Sequence, residues 1–247
     1  MDFIGIIPAR YASTRFPGKP LVDIKGNTMI ERVYEQDSIS LDHVYVATDD
    51  QKIVDEVSRF GAKVVMTDSA HKSGTDRLAQ AIQIIQNHLT INFDVVINIQ
   101  GDEPFIKPEQ IEEIKTCFGD KNTEIATLVK AIENSEDIFD ENKPKVIVDK
   151  NMNAICFSRS PIQYLRNTPK LDWVKRHKYF RHNGMYAYKT ETLLKLTKLN
   201  ESVLEKAESL EQLRWIENGY KIKVAKTNYD TLGVDTPEDL QRILKII

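Results

Sequence analysis

Cysteine is scarce in this 247-residue chain: Cys117 and Cys156 are its two, 39 positions apart. Zinc and redox motifs need closer spacing or more ligands, so both are read as reduced core residues. Long apolar runs are missing too, and none approaches the roughly 18 residues of a membrane helix. The opening Met1-Asp2-Phe3-Ile4-Gly5-Ile6-Ile7 carries no basic leader, and its apolar run is short for a signal peptide. The expected compartment is therefore the cytoplasm. Net charge is only −3, from 34 Lys and Arg against 37 Asp and Glu, a balance that argues against general nucleic-acid binding. The Walker pattern Gly-x-x-x-x-Gly-Lys-Ser/Thr does not occur. Internal repeats, low-complexity tracts and linkers are likewise missing. What remains, 41% hydrophobic and 29% charged residues, is the mix of a soluble globular protein. A chain of this size can bury about 70% of its surface, so its core needs no staple.

Short β-type runs alternate with helix-type runs. Phe3–Ile7, Val44–Ala47, Lys63–Met66 and Val95–Ile99 read as strands. Thr28-Met29-Ile30-Glu31 is a capping box that opens a helix. Asp49 and Asp50 offer a cap to a second helix, which Gly61 ends. Leu78, Ala81, Ile82 and Ile85 space a third over 75–87, and Pro108 suits the first turn of a fourth. This alternation predicts a parallel sheet covered on both faces. Further on, Ile125–Ile132, Val146–Asp149, Ala154–Phe157 and Gly184–Tyr188 read as strands. Ser202-Val203-Leu204-Glu205 caps a helix expected to run to Gly219, and Val224 and Leu232–Val234 read as short strand pieces. Thr236 and Pro237 start the last helix.

One stretch breaks the charge balance. Residues 163–189 hold Arg166, Lys170, Lys175, Arg176, Lys178, Arg181 and Lys189 against the single acid Asp172, interleaved with Tyr164, Trp173, Tyr179, Phe180, Tyr186 and Tyr188. Taken alone this is either an RNA-stacking surface or a solvated loop with a hairpin. A third reading is attraction of an acidic small molecule.

The first strand runs into Pro8-Ala9-Arg10-Tyr11-Ala12-Ser13-Thr14-Arg15-Phe16-Pro17-Gly18-Lys19-Pro20. In an open parallel sheet this loop lies at the carboxyl edge, where ligands bind. Its amides and its cations Arg10, Arg15 and Lys19 can cradle an anion. The plain alternative is a basic surface loop; against it stand Pro8, Pro17 and Pro20, which stiffen a segment that would not otherwise need it.

This loop resembles the nucleotide-sugar pyrophosphorylase family, and within it the CMP-sugar synthetases. Further matches follow in order: His71-Lys72-Ser73-Gly74-Thr75-Asp76-Arg77, then Asn98-Ile99-Gln100-Gly101-Asp102-Glu103-Pro104, Phe157-Ser158-Arg159 and Arg181-His182-Asn183-Gly184-Met185-Tyr186. Leu210-Glu211-Gln212-Leu213-Arg214 and Gly233-Val234-Asp235-Thr236-Pro237-Glu238-Asp239-Leu240 complete the set. The resemblance spans Ile6 to Leu240, with Gln163 standing where many relatives carry proline.

The resemblance implies an α/β fold, with a Rossmann-like nucleotidyltransferase sheet covered by helices and a smaller arm for sugar binding and dimerisation. Within one domain, residues 1–247, the nucleotide half would span about 1–133 and 220–247 and the arm about 134–219. The implied reaction is attack by a sugar acid's anomeric hydroxyl on the α-phosphate of CTP, with pyrophosphate leaving and Mg²⁺ as cofactor. The expected acid is Kdo, 3-deoxy-D-manno-octulosonate, activated for lipopolysaccharide. A related acid such as a sialic acid stays open, and so does a nucleotide sensor without turnover. Arg10, Ser13, Arg15, Lys19, Ser73, Gly74, Thr75, Arg77, Gln100 and Asp102 are implied for the nucleotide. Gln100, Arg159, His182, Tyr186, Glu211, Gln212 and Asp235 are implied for the sugar, and Asp102 and Asp235 for the metal. A homodimer through the arm around 160–190 is implied, with no nucleic-acid or membrane partner.

Charge counting fits that chemistry. CTP brings about four negative charges and the acid about one; three loop cations, two Mg²⁺ and two metal-binding aspartates sum to about +5. Asp102 and Asp235 each follow a strand-like run, and two parallel strands would bring both to one sheet edge. Their plain readings are a turn residue and part of a helix cap. Arginine can grip a carboxylate with two prongs, which suits Arg159. On a helix from Ser202, positions 208, 211 and 215 share a side, so Glu211 is expected at the edge of a buried face or paired with Arg214.

Overall fold

The computed structural model describes residues 1–12, 16–230 and 232–245; of the expected site residues, Ser13 and Arg15 lie outside them. The strands in chain order are β1 (Phe3–Ala9), β2 (Asp23–Ile24), β3 (Asn27–Thr28), β4 (Val44–Thr48), β5 (Val64–Met66), β6 (Val95–Asn98), β7 (Ile125–Ala131), β8 (Lys145–Val148), β9 (Ala154–Ser158), β10 (Phe180–Lys189) and β11 (Ile222–Lys226). The α-helices are α1 (Met29–Asp37), α2 (Gln51–Arg59), α3 (Gly74–Leu89), α4 (Pro108–Thr116), α5 (Ser135–Phe139), α6 (Trp173–Arg176), α7 (Thr190–Leu196), α8 (Val203–Glu208), α9 (Gln212–Glu217) and α10 (Pro237–Leu244). The chain divides into two compact units.

The first unit comprises the described residues of Met1–Glu112, Tyr188–Thr197 and Thr231–Ile247. Its strands lie in the order β6-β1-β4-β5, and all three pairings are parallel, as the alternating pattern predicts. The register pairs Ala9 with Thr48, Ile6 with Asn98 and Thr48 with Met66. The carboxyl ends of all four strands therefore meet at one edge. Ile4, Ile6 and Ile7 on β1 and Val95, Val96 and Ile97 on β6 have no exposed surface, the mark of strands covered on both faces. α3 presents Leu78, Ala81, Ile82 and Ile85 as a buried stripe. The capping box expected at Thr28 forms and Thr236 caps α10 as expected, while Ser73 makes a further capping box at the start of α3.

Leu232–Val234 is not a strand. The Val234 N–H donates to the Asp102 carbonyl at 2.9 Å, and its side chain joins Ile24, Met29 and Ile243 in a buried cluster with Phe16, Phe105, Leu240 and Leu244 against it. A three-residue run containing glycine pairs with a loop instead of a ladder. α10 supplies Leu240, Ile243 and Leu244 to the cluster, each buried side chain contributing about 1.5–3 kcal/mol.

The second unit comprises Glu113–Ala187 and Lys198–Asp230. β7 pairs parallel to β11, β8 and β9 form an antiparallel hairpin, and β8 also pairs antiparallel to β10. The single helix expected from Ser202 to Gly219 is two, α8 and α9, broken where Ser209 adopts φ +51°. Arg159 gives the break its reason: its Nε donates to the Glu208 carbonyl at 2.7 Å and its Nη2 to the Ser209 carbonyl at 3.4 Å. The terminal carbonyls of α8 are thereby satisfied without further helix. Glu211 accordingly stands at the start of α9, not on the side of a long helix.

The aromatic residues of the basic stretch are mostly interior. Trp173, Tyr179, Phe180, Tyr186 and Tyr188 are buried, while Tyr164 is 76% exposed. Trp173 and Tyr179 stack at 6.0 Å beneath Ile132 and Ile138. Rings consumed by a core cannot stack bases, so the RNA-surface reading falls, and these rings are covered without a partner chain. Cys117 is buried as expected; Cys156 is only half-buried, and both are free thiols.

Candidate active site

Three distant pieces of chain converge at the carboxyl edge of the first unit's sheet. Gly18 adopts φ +73°, a left-handed conformation that suits glycine, and its N–H closes the loop on the Tyr11 carbonyl at 2.9 Å. Pro20 then begins a short turn over Lys19–Leu21. At the end of β6, a Cβ on Gly101 would stand 3.0 Å from the Pro8 carbonyl oxygen and 3.3 Å from Ile7 Cγ2. Glycine there lets the following residue, Asp102, lie against the end of β1. The Val234–Asp102 backbone bond delivers Asp235 to the same place. The result is that Lys19 Nζ donates to Asp102 Oδ2 at 2.8 Å and to Asp235 Oδ1 at 3.1 Å. Capping of α10 is done by Thr236 and Asp239, so the Asp235 carboxylate serves the lysine and not the cap.

Beside this cluster lies a cavity of about 630 Å³ lined by Pro8, Ala9, Arg10, Ala12, Lys19, Pro20, Lys72, Gly74, Arg77, Gln100, Gly101 and Asp102. Arg10 donates through Nη2 to the His71 carbonyl, which ties the first loop to the one before α3. Ser73 caps α3, its Oγ accepting from the Asp76 N–H at 3.1 Å, and Gly74 follows on the wall against Pro8. Thr75 is buried behind it. Arg77 has no exposed surface: Nη2 pairs with Asp49 at 2.8 Å and Nη1 donates to Thr67 Oγ at 2.5 Å. Its Nε has no hydrogen-bond partner among the described residues. Arg77 thus braces the cavity wall against the ends of β4 and β5.

The remaining expected residues belong to the second unit. His182 Nε2 lies 3.0 Å from Thr127 Oγ, which is 2.7 Å from the Met185 carbonyl. The hydroxyl has one proton to give and gives it to that carbonyl, so Nε2 carries the imidazole hydrogen and Nδ1 is left as an acceptor. Burial pushes the His182 pKa down to about 3, which keeps the ring neutral. Tyr186 packs between His182 and Trp215, with ring centroids 5.1 and 5.0 Å away. Gln212, one turn before Trp215 on α9, is buried and its Nε2 has no partner among the described residues. Glu211 lies 3.9 Å from Arg214, but that guanidinium makes its close bonds, 2.5 and 2.7 Å, to Glu205. Arg159 donates to three main-chain carbonyls, of Glu208, Ser209 and Glu141, leaving two of its five N–H groups.

Sequence comparison decides the family. A family model described as Cytidylyltransferase matches residues 4–222. The chain belongs to the cytidylyltransferase family. It is 55% identical over 251 residues to the 3-deoxy-manno-octulosonate cytidylyltransferase of Parabacteroides distasonis, covering 100% of this chain and 98% of the relative. The corresponding protein of Bacteroides thetaiotaomicron is 56% identical over 244 residues, with 98% and 96% covered. A solved CMP:2-keto-3-deoxy-manno-octonic acid synthetase complexed with CTP superposes with TM-score 0.90 at 39% identity, over 100% of this chain and 98% of that one.

Two features of this cytidylyltransferase escape sequence reasoning. Lys72 lines the cavity and adds a cation to it; its place beside Ser73 was a usable signal. Asp49 reads as a helix cap, yet Asp50 performs the capping and Asp49 neutralises the buried Arg77. Nothing local distinguishes the two neighbouring acids.

Proposed function

We propose that this chain transfers CMP from CTP to Kdo, giving CMP-Kdo and pyrophosphate, with Mg²⁺ as cofactor, as one step toward lipopolysaccharide. The observation that carries the reading is the meeting of Lys19, Asp102 and Asp235 beside a cavity that also holds Arg10 and Lys72. Arg10, Lys19 and Lys72 bind and orient the triphosphate by charge. Hard carboxylate oxygens gathered around one cation are the donor set Mg²⁺ takes, and it needs only one or two of them because phosphate and water complete its shell. Asp102 and Asp235 would hold it. When bound, Mg²⁺ supplies charge neutralisation at the phosphates and eases deprotonation of the attacking hydroxyl.

On the sugar side, His182 Nδ1 accepts a hydroxyl proton in a hydrogen bond, and Gln212 Nε2, without a partner among the described residues, donates one. Tyr186, Glu211 and the remaining N–H groups of Arg159 add polar contacts, with Arg159 directed at the carboxylate. The cations of 163–189 draw in the anionic substrates. The chain works in the cytoplasm as a homodimer, for which exposed Ile155, Tyr164 and Leu171 offer apolar surface. Pyrophosphate release with CTP or UTP, Mg²⁺ and a panel of sugar acids tests the reading. Kdo with CTP should be turned over fastest; equal rates with UTP or with a sialic acid would overturn it.

A further inference from the structure

Lys19 has two competing claims on its single charge. One is the pair of carboxylates 83 and 216 positions away, at 2.8 and 3.1 Å. The other is any polyphosphate that enters the cavity the same side chain lines. The lysine is largely covered, with 14% of its side chain exposed, while Asp102 and Asp235 keep 34% and 45%. The ammonium is therefore the covered member of the cluster, and the carboxylates keep faces open to solvent. A divalent ion carries twice the charge of the ammonium and is attracted more strongly to the same pair of carboxylates.

A divalent ion drawn there meets the ammonium already bonded to the oxygens it needs. Like charges at contact distance repel strongly even where water screens them in part. We propose that Lys19 is a placeholder cation: it occupies the seat between Asp102 and Asp235 in the free enzyme and yields it to a divalent metal when a triphosphate arrives to receive the lysine. This rests on the metal reading given above. The arrangement couples the two ligands, because nucleotide binding removes the competitor for the metal seat and metal binding releases the lysine for the nucleotide. It also keeps the two carboxylates together in the absence of metal.

Mn²⁺ titration of the full chain without nucleotide, followed by the paramagnetic resonance of free Mn²⁺, tests the exchange. Lys19→Met should bind Mn²⁺ at least about ten-fold more tightly than the unaltered chain, because a repelling unit charge has gone. Lys19→Gln should shift affinity the same way and carries the test if the Met variant does not fold by circular dichroism. Lys19→Arg, which keeps the charge, should stay weak, and Asp102→Asn added to Lys19→Met should abolish the gain. Equal or weaker Mn²⁺ binding by the neutral variants overturns the placeholder role. The underlying metal reading fails separately, if Asp102→Asn leaves Mn²⁺ binding in the presence of CTP unchanged.

Discussion

Replacing Gly101 by alanine asks whether the close approach of two strand ends seats Asp102, the carboxylate proposed to hold the metal. The new Cβ would lie 3.0 Å from the Pro8 carbonyl oxygen, 3.3 Å from Ile7 Cγ2 and 3.9 Å from Ile30 Cδ1. The nearest atom is backbone. Pro8 is held in register with Ala47 of β4, so β1 does not retreat and the 100–102 segment gives by a few tenths of an ångström. Overpacking of this kind costs about 1–3 kcal/mol. The displaced residue carries the 2.8 Å bond to Lys19, and misplacing a reacting group by about 1 Å costs about a hundred-fold in rate, so a smaller shift should cost about ten-fold. Urea unfolding gives the first quantity and pyrophosphate release the second. Gly119→Ala is the matched control: nothing lies within 4 Å of its Cβ, and its stability should change by less than about 0.5 kcal/mol. If Gly101→Ala matched that control and turned over within about two-fold of the parent, the seating argument would be wrong.

His182 is held neutral with a pKa of about 3, below the unfolded value near 6.5. Between those limits the unfolded chain binds the extra proton, so stability should be full above about pH 6.5 and fall by up to about 1.4 kcal/mol per unit as pH drops; His182→Gln should flatten that part of the urea-midpoint profile, and an unchanged slope would remove the assignment. Asp37 has the opposite sign: it is fully buried, neither carboxylate oxygen has a partner among the described residues, and burial followed by the nearby Glu103 raises its pKa well above the ordinary value. Its contribution is lost as pH rises from about 4, and Asp37→Asn should stabilise the chain at neutral pH by about 1 kcal/mol, a gain that should vanish in acid. Arg77→Lys strips the fork that spans Asp49 and Thr67 and should cost about 3 kcal/mol in urea unfolding; a loss under 1 kcal/mol would mean the brace is dispensable.

The parallel βα succession was legible because each element carries its own signal. Capping boxes, buried β-branched runs and the glycine after α2 are local, and the structure forms them where the pattern places them. The failures share one cause. Leu232–Val234 has strand-like composition, but what it pairs with, the Asp102 carbonyl, is invisible from either segment alone. The helix from Ser202 looks continuous until Arg159, some fifty residues earlier, takes the carbonyls at its middle. Trp173 and Tyr179 look like part of a platform until Ile132 and Ile138 join them in one buried cluster. In each case a partner distant in sequence overrides a local preference.

The carboxylates make the same point at the level of chemistry. Asp37 and Asp102 carry the same side chain in two different settings: Asp37 follows Glu35-Gln36 at the end of a helix, and Asp102 follows Gln100-Gly101 after a buried strand. In the fold, Asp37 ends α1 in a place where no donor among the described residues reaches its carboxylate, so a negative charge there meets both burial and the unfavourable end of the helix dipole. Asp102 ends at a half-open edge with an ammonium at 2.8 Å and a second carboxylate across it. One environment suppresses charge; the other concentrates it beside a cavity and leaves it exchangeable. The surroundings of Asp102 are set by Gly101, by Lys19 and by the Val234 amide, and the proposed role of the aspartate depends on all three. A substitution at Gly101 or Lys19 should accordingly damage turnover without touching a carboxylate at all.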